Sequence, residues 1–107
     1  MNLKALAKAD LNLLVALYVL LEERSVSAAA KRLSITQPAM SKTLARLRNT
    51  FDDPLFVRSK RGVHPTPRAE SVGAELKPLL SKIETLLHGE DFTPVSYRGE
   101  IQIAISE

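Results

Sequence analysis

The chain has no cysteine and no tryptophan, and only three Phe and two Tyr among its 107 residues. Without cysteine there is no disulfide framework, no thiol nucleophile and no cysteine metal site, a usage that fits a reducing cytoplasm. With so few aromatics, Leu, Val, Ile and Ala must fill the interior, a composition that favours helices over a sandwich or barrel. The longest apolar run, Leu13 to Leu21, has nine residues and is too short to cross a bilayer, so no membrane partner is expected. Residues 1–10 lack the apolar stretch and small-residue cleavage site of a signal peptide. The two histidines, His64 and His88, have no metal-spaced companions, and there is no glycine-rich phosphate loop and no Ser/His/acid set. No cofactor, metal or catalytic residue is therefore predicted, and the chain does not read as an enzyme.

What is present is a 45% hydrophobic chain, enough for a real core, at a length suited to one compact domain plus an appendage. The net charge of +3 hides an asymmetry. Residues 1–68 hold twelve Lys/Arg against five Asp/Glu, a surplus of +7, while residues 69–107 hold three against seven, a deficit of −4. A basic N-terminal module of this kind suits a polyanion.

Apolar periodicity predicts a first helix from Leu11 to about Glu23, capped by Asp10, with Leu11, Leu14, Val15, Tyr18 and Leu21 facing inward. Ser27 is expected to cap a second helix through Leu33, whose Ala29 and Ala30 let another helix approach closely. Ser34-Ile35-Thr36 reads as a turn with Ile35 tucked into the core. Thr36 then caps a third helix with Pro38 in its first turn, where a missing amide hydrogen costs nothing. Met40, Leu44, Leu47 and Phe51 form its buried stripe, and Asp52-Asp53-Pro54 ends it.

The outward side of the third helix carries the chemistry. Gln37 can pair with a base edge in a major groove, and Pro38 and Ala39 can meet a thymine methyl without bulk. Ser41 is adaptable, Lys42 reaches a guanine edge or a phosphate, and Arg46 lies further along the same side. Thr36 and the amides at the helix start favour a phosphate. An ordinary helical hairpin would explain the alanines and the apolar stripe, but not this polar, basic opening. The following segment, Leu55-Phe56-Val57-Arg58, a basic turn with Lys60, Arg61 and Gly62, and Val63-His64, has the form of a β-wing. Arg58, Lys60 and Arg61 suit a nucleic-acid backbone or minor groove, whereas Lys31, Arg32 and Arg48 read as plain surface charges.

Thr66-Pro67 opens a longer helix to about His88, interrupted by Pro78, where a bend is expected. Val72, Leu76, Leu79, Ile83 and Leu86 form a heptad seam, widened by Leu80 and Leu87. That seam either packs on its own domain or pairs with a second copy, and an apolar stripe leading out of a small domain favours the copy. Residues 89–99 read as a hinge. Ile101, Ile103 and Ile105 alternate as in a strand, which implies a second domain that the chain only begins.

These motifs together resemble the N-terminal part of LysR-type transcriptional regulators. The resemblance rests on Asp10-Leu11-Asn12-Leu13-Leu14, Ser27 to Leu33, Thr36-Gln37-Pro38-Ala39-Met40-Ser41-Lys42, Leu55-Phe56-Val57-Arg58 with Arg61-Gly62, and Thr66-Pro67-Arg68-Ala69, the last in a variant form also seen in the nodulation-regulator branch. It implies a mainly α fold: a winged helix-turn-helix of three helices and a small β-wing over residues 1–65, a linker helix over 66–88, and the first strand of an effector domain over 100–107. It also implies a bacterial DNA-binding regulator that acts as a homodimer through the linker helix on an interrupted palindrome of double-stranded DNA. Tetramers and a small-molecule co-inducer are implied for the full-length protein. By the resemblance, Gln37, Pro38, Ala39, Ser41 and Lys42 contact DNA from the third helix, and Arg58 and Arg61 from the wing. Lys42 stands where arginine is common and lacks its planar fork; Asp52 replaces a frequent glycine, and nine residues precede Asp10, where the family usually begins almost at once. The alternative from another class is a helical dimerisation module whose basic face meets an acidic protein.

Overall fold

The structure, a computed structural model, describes residues 1–89, in the order α1 (Leu3–Lys8), α2 (Asn12–Glu23), α3 (Val26–Arg32), α4 (Gln37–Phe51), β1 (Phe56–Ser59), β2 (Gly62–Pro65) and α5 (Pro67–His88). The expected strand at 101–105 and nearly all of the expected hinge lie outside the described residues. The chain divides into two compact units, Met1–Lys77 and Pro78–Glu107.

In the first unit α2, α3 and α4 pack mutually and the β1–β2 hairpin closes one side. The predicted first helix is α2, but its buried face is not the one periodicity selects. Leu13, Ala16, Leu17 and Leu20 are buried, whereas Leu11 is 54% and Val15 40% exposed. Leu14, Tyr18 and Leu21 are only half-buried at the edge of the core. The reason is composition: from Leu11 to Leu21 only Asn12 is strongly polar, so two overlapping apolar arcs satisfy the same 3.6-residue period and packing decides between them. Asp10 does not occupy the N-cap, which is Leu11 with no side-chain bond; its carboxylate instead accepts from the Asn12 amide. Arg24 closes the helix in the left-handed region at φ 52°.

Helix α3 starts two residues earlier than Ser27 predicts, because Ser25, extended at φ −154°, takes the cap and accepts from the Ala28 amide. Ser27 falls within the first turn, beside Ser25. Ala29 and Ala30 are buried as expected, and Leu33 packs against the core. The turn to α4 is a Schellman motif with Ser34 left-handed at φ 57°; the Ile35 amide donates to the Ala30 carbonyl and the Ser34 amide to that of Lys31. Ile35 is 39% exposed rather than tucked in, since backbone bonds, not burial of its side chain, shape this turn.

Helix α4 follows the sequence closely. Thr36 caps it by accepting from the Ala39 amide at 3.2 Å, and Pro38 sits in the first turn. Met40 and Leu47 are fully buried, Leu44 nearly so, and Phe51 lies at the edge of the core with the Arg68 guanidinium 5.9 Å from its ring centre. Asp52 ends the helix at φ 50°, a conformation short polar residues tolerate in place of glycine.

Leu55 and Phe56 are buried to within 1% and anchor the hairpin to the helices. The strands pair antiparallel, with Phe56 opposite Pro65 and Ser59 opposite Gly62, leaving Lys60 and Arg61 as the exposed two-residue loop. A hairpin this short is unstable alone; its footing is the core. Thr66 caps α5 by accepting from the Ala69 amide. Ala69 and Leu76 are buried and Val72 packs beside them, so the first unit's core continues past residue 65 into α5. In the second unit α5 continues from Pro78 to His88 with Leu86 and Leu87 strongly exposed.

Candidate nucleic-acid interface

The burial stripe of α4 determines what its other side offers. At 100° per residue, Pro38, Lys42, Ala45 and Asn49 lie opposite Met40, Leu44 and Leu47. Gln37 and Ser41 fall at one edge of that outward face, and Arg46 and Thr50 at the other. All of these stand exposed along the helix, whereas Ala39 is half-buried.

On the Gln37 edge the fold forms a cleft of about 210 Å³, lined by Ser25, Ser27, Gln37, Ser41, Arg58 and Gly62 among others. Residues predicted from separate segments are thus brought together: Gln37 and Ser41 from α4, and Arg58 from the wing. Lys42 projects from the centre of the exposed face, and Lys60 and Arg61 from the wing loop. Lys42, Arg58, Lys60 and Arg61 carry no ion pair among the described residues.

Two predicted residues are partly committed elsewhere. Arg46 pairs with Asp10 at 3.2 Å while remaining 61% exposed, so α4 is tied there to the start of α2. The Thr36 hydroxyl is used on Ala39, Pro38 has no amide hydrogen, and the Met40 amide bonds to the Thr36 carbonyl. Of the amides expected to favour a phosphate, that of Gln37 is left with no partner among the described residues.

The residues that hold this face in place include several that sequence reasoning passed over. Arg48 donates from Nε to the Pro54 carbonyl at 2.8 Å and from a terminal nitrogen to the Phe56 carbonyl at 3.0 Å. It clamps the wing to α4 rather than standing as a plain surface charge. Gly62, at φ +122°, lies so close to Arg24 that an added Cβ would be 2.4 Å from the Arg24 carbonyl oxygen, which also accepts from the Val63 amide at 3.2 Å. The wing is therefore seated on the end of α2. Arg32 joins α3 to α2 through Glu22 at 2.7 Å and Glu23 at 3.0 Å, and the Tyr18 hydroxyl donates to Glu22 at 2.6 Å. Those hydrogen bonds from Tyr18 and Arg32 hold the Glu22 carboxyl below its ordinary range, and the bond to Glu22 pushes the Tyr18 hydroxyl up. Nothing in the local sequence of Arg48 marks it as a clamp, because its acceptors are backbone carbonyls beyond the helix.

Along the predicted seam the structure separates two groups. Leu76 is 2% exposed and Val72 packs on the first unit's core. In the second unit Leu80 and Ile83 are half-buried, and Leu79, Leu86 and Leu87 are 45%, 84% and 71% exposed. Among the described residues no group of His, Cys, Asp or Glu could hold a metal ion, and no helix is long and apolar enough to cross a membrane.

A helix-turn-helix with its second helix exposed at the N-terminal end, and a basic hairpin beside it, defines the winged class of nucleic-acid readers. Residues 11–70 match the family described as bacterial regulatory helix-turn-helix proteins, lysR family. The chain belongs to that family, whose members are DNA-binding transcription regulators. It is 42% identical over 99 residues, 92% of its length, to nodulation protein D 1 of Bradyrhizobium sp. (strain NC92), and covers 32% of that relative. The chain thus spans about a third of the length of the curated relative it matches. Its fold is similar to the crystal structure of a probable transcriptional regulator from Pseudomonas aeruginosa, with a TM-score of 0.73, 38% identity, and 83% and 30% of the two chains covered. It is also similar to the BenM DNA-binding domain crystallised with catB site 1 DNA, with a TM-score of 0.69, 28% identity, and 74% and 89% covered.

Proposed function

We propose that this chain is the DNA-reading part of a sequence-specific transcription regulator, with α4 in the major groove and the β1–β2 wing against the neighbouring backbone. The observation that carries this reading is the cleft where Gln37 and Ser41 of α4 meet Arg58 of the wing. Base-reading and phosphate-neutralising groups there share one exposed surface on rigid elements. Gln37, Pro38, Ala39, Ser41 and Lys42 read base edges, while Arg58, Lys60 and Arg61 neutralise phosphates, with Arg46 and the Gln37 amide in support.

The exposed Leu79, Leu86 and Leu87, with Leu80 and Ile83, support pairing of α5 with a second copy, which would set two α4 helices on the half-sites of an interrupted palindrome. Val72 and Leu76 serve the first unit's own core and contribute to the dimer by holding α5. In the full-length protein, tetramer assembly and control by a small-molecule co-inducer belong to the length that this chain does not span. The role is a non-catalytic one in the bacterial cytoplasm.

Selection from a random DNA pool, followed by competition at rising salt, tests the reading. The expected result is an enriched site with two-fold symmetry that outcompetes random DNA. Retention of random DNA alone would overturn sequence reading, and no retention at any salt would favour the protein-interaction alternative.

A further inference from the structure

Helix α1 buries nothing of its own and precedes the segment that matches the family, which starts at residue 11. A six-residue helix with no buried residue contributes little to stability. Lys4 and Lys8 are one turn apart on the same face, both exposed and neither with an ion pair among the described residues. Lys8 lines a cleft of about 240 Å³ together with Asp10, Arg46, Thr50 and Phe51. That cleft lies along the Arg46 edge of α4, on the other side of its exposed face from Gln37, Ser41 and the wing.

A major groove about 12 Å wide is bordered by two phosphate backbones. The wing cations stand beside one edge of α4, and Lys8, the last residue of α1, lines the cleft along the other, with Lys4 one turn before it on the same face. Beside that cleft the Arg46 guanidinium is engaged by Asp10 at 3.2 Å, which neutralises part of its charge, and the Arg68 guanidinium stands over the Phe51 ring. Lys4 and Lys8 have neither an ion pair nor a ring contact among the described residues. We infer that α1 is a basic arm that contacts the DNA phosphate backbone on the side of the groove away from the wing, through Lys4 and Lys8. The inference rests on the DNA-reading interface proposed above and adds a second backbone contact to it. Phosphate contacts carry no base information, so the arm raises affinity equally on cognate and random DNA and holds α4 in the groove from both sides.

The test is the salt dependence of binding by Lys4→Gln/Lys8→Gln, with the charge-retaining Lys4→Arg/Lys8→Arg beside it. Each phosphate contact contributes about 0.9 to the slope of log affinity against log salt. The glutamine pair should therefore bind with a slope shallower by about 1.8, with the same loss on cognate and random DNA, and the arginine pair should keep the wild-type slope. Neither change touches a buried group, and unchanged helicity and urea midpoint check that the fold is retained. A wild-type chain with no salt-sensitive DNA binding overturns interface and arm together. Wild-type binding with an unchanged slope in the glutamine pair overturns the arm alone.

Discussion

The Thr66 hydroxyl donates to Asp53 Oδ2 at 2.7 Å, joining the turn after α4 to the cap of α5 across the whole wing. The same carboxylate oxygen accepts from the Leu55 amide at 2.8 Å, and the Thr66 amide donates back to the Leu55 carbonyl at 2.8 Å. Leu55 sits in the left-handed region at φ 62° with its side chain fully buried, a conformation that costs about 1–2 kcal/mol for a residue with a Cβ. The knot of bonds around Asp53 holds it there. Asp53→Ala leaves the Leu55 amide and the Thr66 hydroxyl without their acceptor and should destabilise the fold by about 1–3 kcal/mol. Urea denaturation would measure this, and an unchanged midpoint would show that the knot is idle.

Gly62→Ala should be disproportionately harmful for so small a change. The new Cβ would be 2.4 Å from the Arg24 carbonyl oxygen, at a φ of +122°, so the wing must shift off the end of α2 or the backbone must strain by about 1–3 kcal/mol. In a domain of this size each kcal/mol lowers Tm by about 4–8 °C. Gly89→Ala also meets a positive φ, +87°, but has nothing within 4 Å of the added atom and lies past the end of α5, so it should lower Tm less than Gly62→Ala does.

Gln37 and Arg61 should fail in different ways. Gln37→Ala should cost about 1–3 kcal/mol of preference for the cognate site while leaving random DNA unaffected. Arg61→Ala should weaken both alike and reduce the salt slope by about 0.9. Fluorescence anisotropy on the two DNAs across a salt series separates the outcomes, and equal losses for Gln37→Ala would count against base reading.

Two leucines of the same expected seam should respond differently to substitution. Leu76→Ala removes a buried side chain and should cost about 2–5 kcal/mol of stability. Leu86→Asp changes a residue that is 84% exposed and should leave the fold intact while shifting the sedimentation profile toward monomer. A folded, fully dimeric Leu86→Asp/Leu87→Asp chain would sink the α5 pairing.

The Tyr18–Glu22–Arg32 contacts predict a small pH dependence with a definite sign. Hydrogen bonds from Tyr18 and then Arg32 lower the folded Glu22 pKa from its ordinary 4.5. The stabilisation is therefore present above pH 4.5 and lost as pH falls through the lower folded value. At the alkaline end, the raised Tyr18 pKa makes its contribution present below pH 10 and lost as pH rises through the folded value. The carboxylate is 39% exposed, so the effect stays below about 1 kcal/mol. An NMR titration of the Glu22 carboxyl should move upward in Arg32→Met; no movement would remove Arg32 from the account.

Much of the candidate interface was legible because its signals are local. Thr36 before Gln37-Pro38 reads as a cap, the steps between Met40, Leu44 and Leu47 select one buried face, and the opposite face follows by geometry. The wing is equally readable from Leu55-Phe56 and the basic turn that ends at Gly62. What was not legible depends on partners distant in sequence. Arg48 and Arg32 look like any exposed arginines until the Pro54 and Phe56 carbonyls and the two glutamates are placed beside them. Ser27 reads as the cap of α3, yet Ser25, extended at φ −154° and accepting from the Ala28 amide, takes that place.

The sequence alone determined the class of fold, the helix with the exposed polar face and the charged wing, because caps, turns and a 3.6-residue period act over a few residues. Only the tertiary structure decided which arc of α2 is buried, where the seam of α5 stops serving its own core, and that Lys8 at the end of α1 lines the cleft along the Arg46 edge of α4. Those choices depend on competition among apolar surfaces and charges that become neighbours only when the chain is folded.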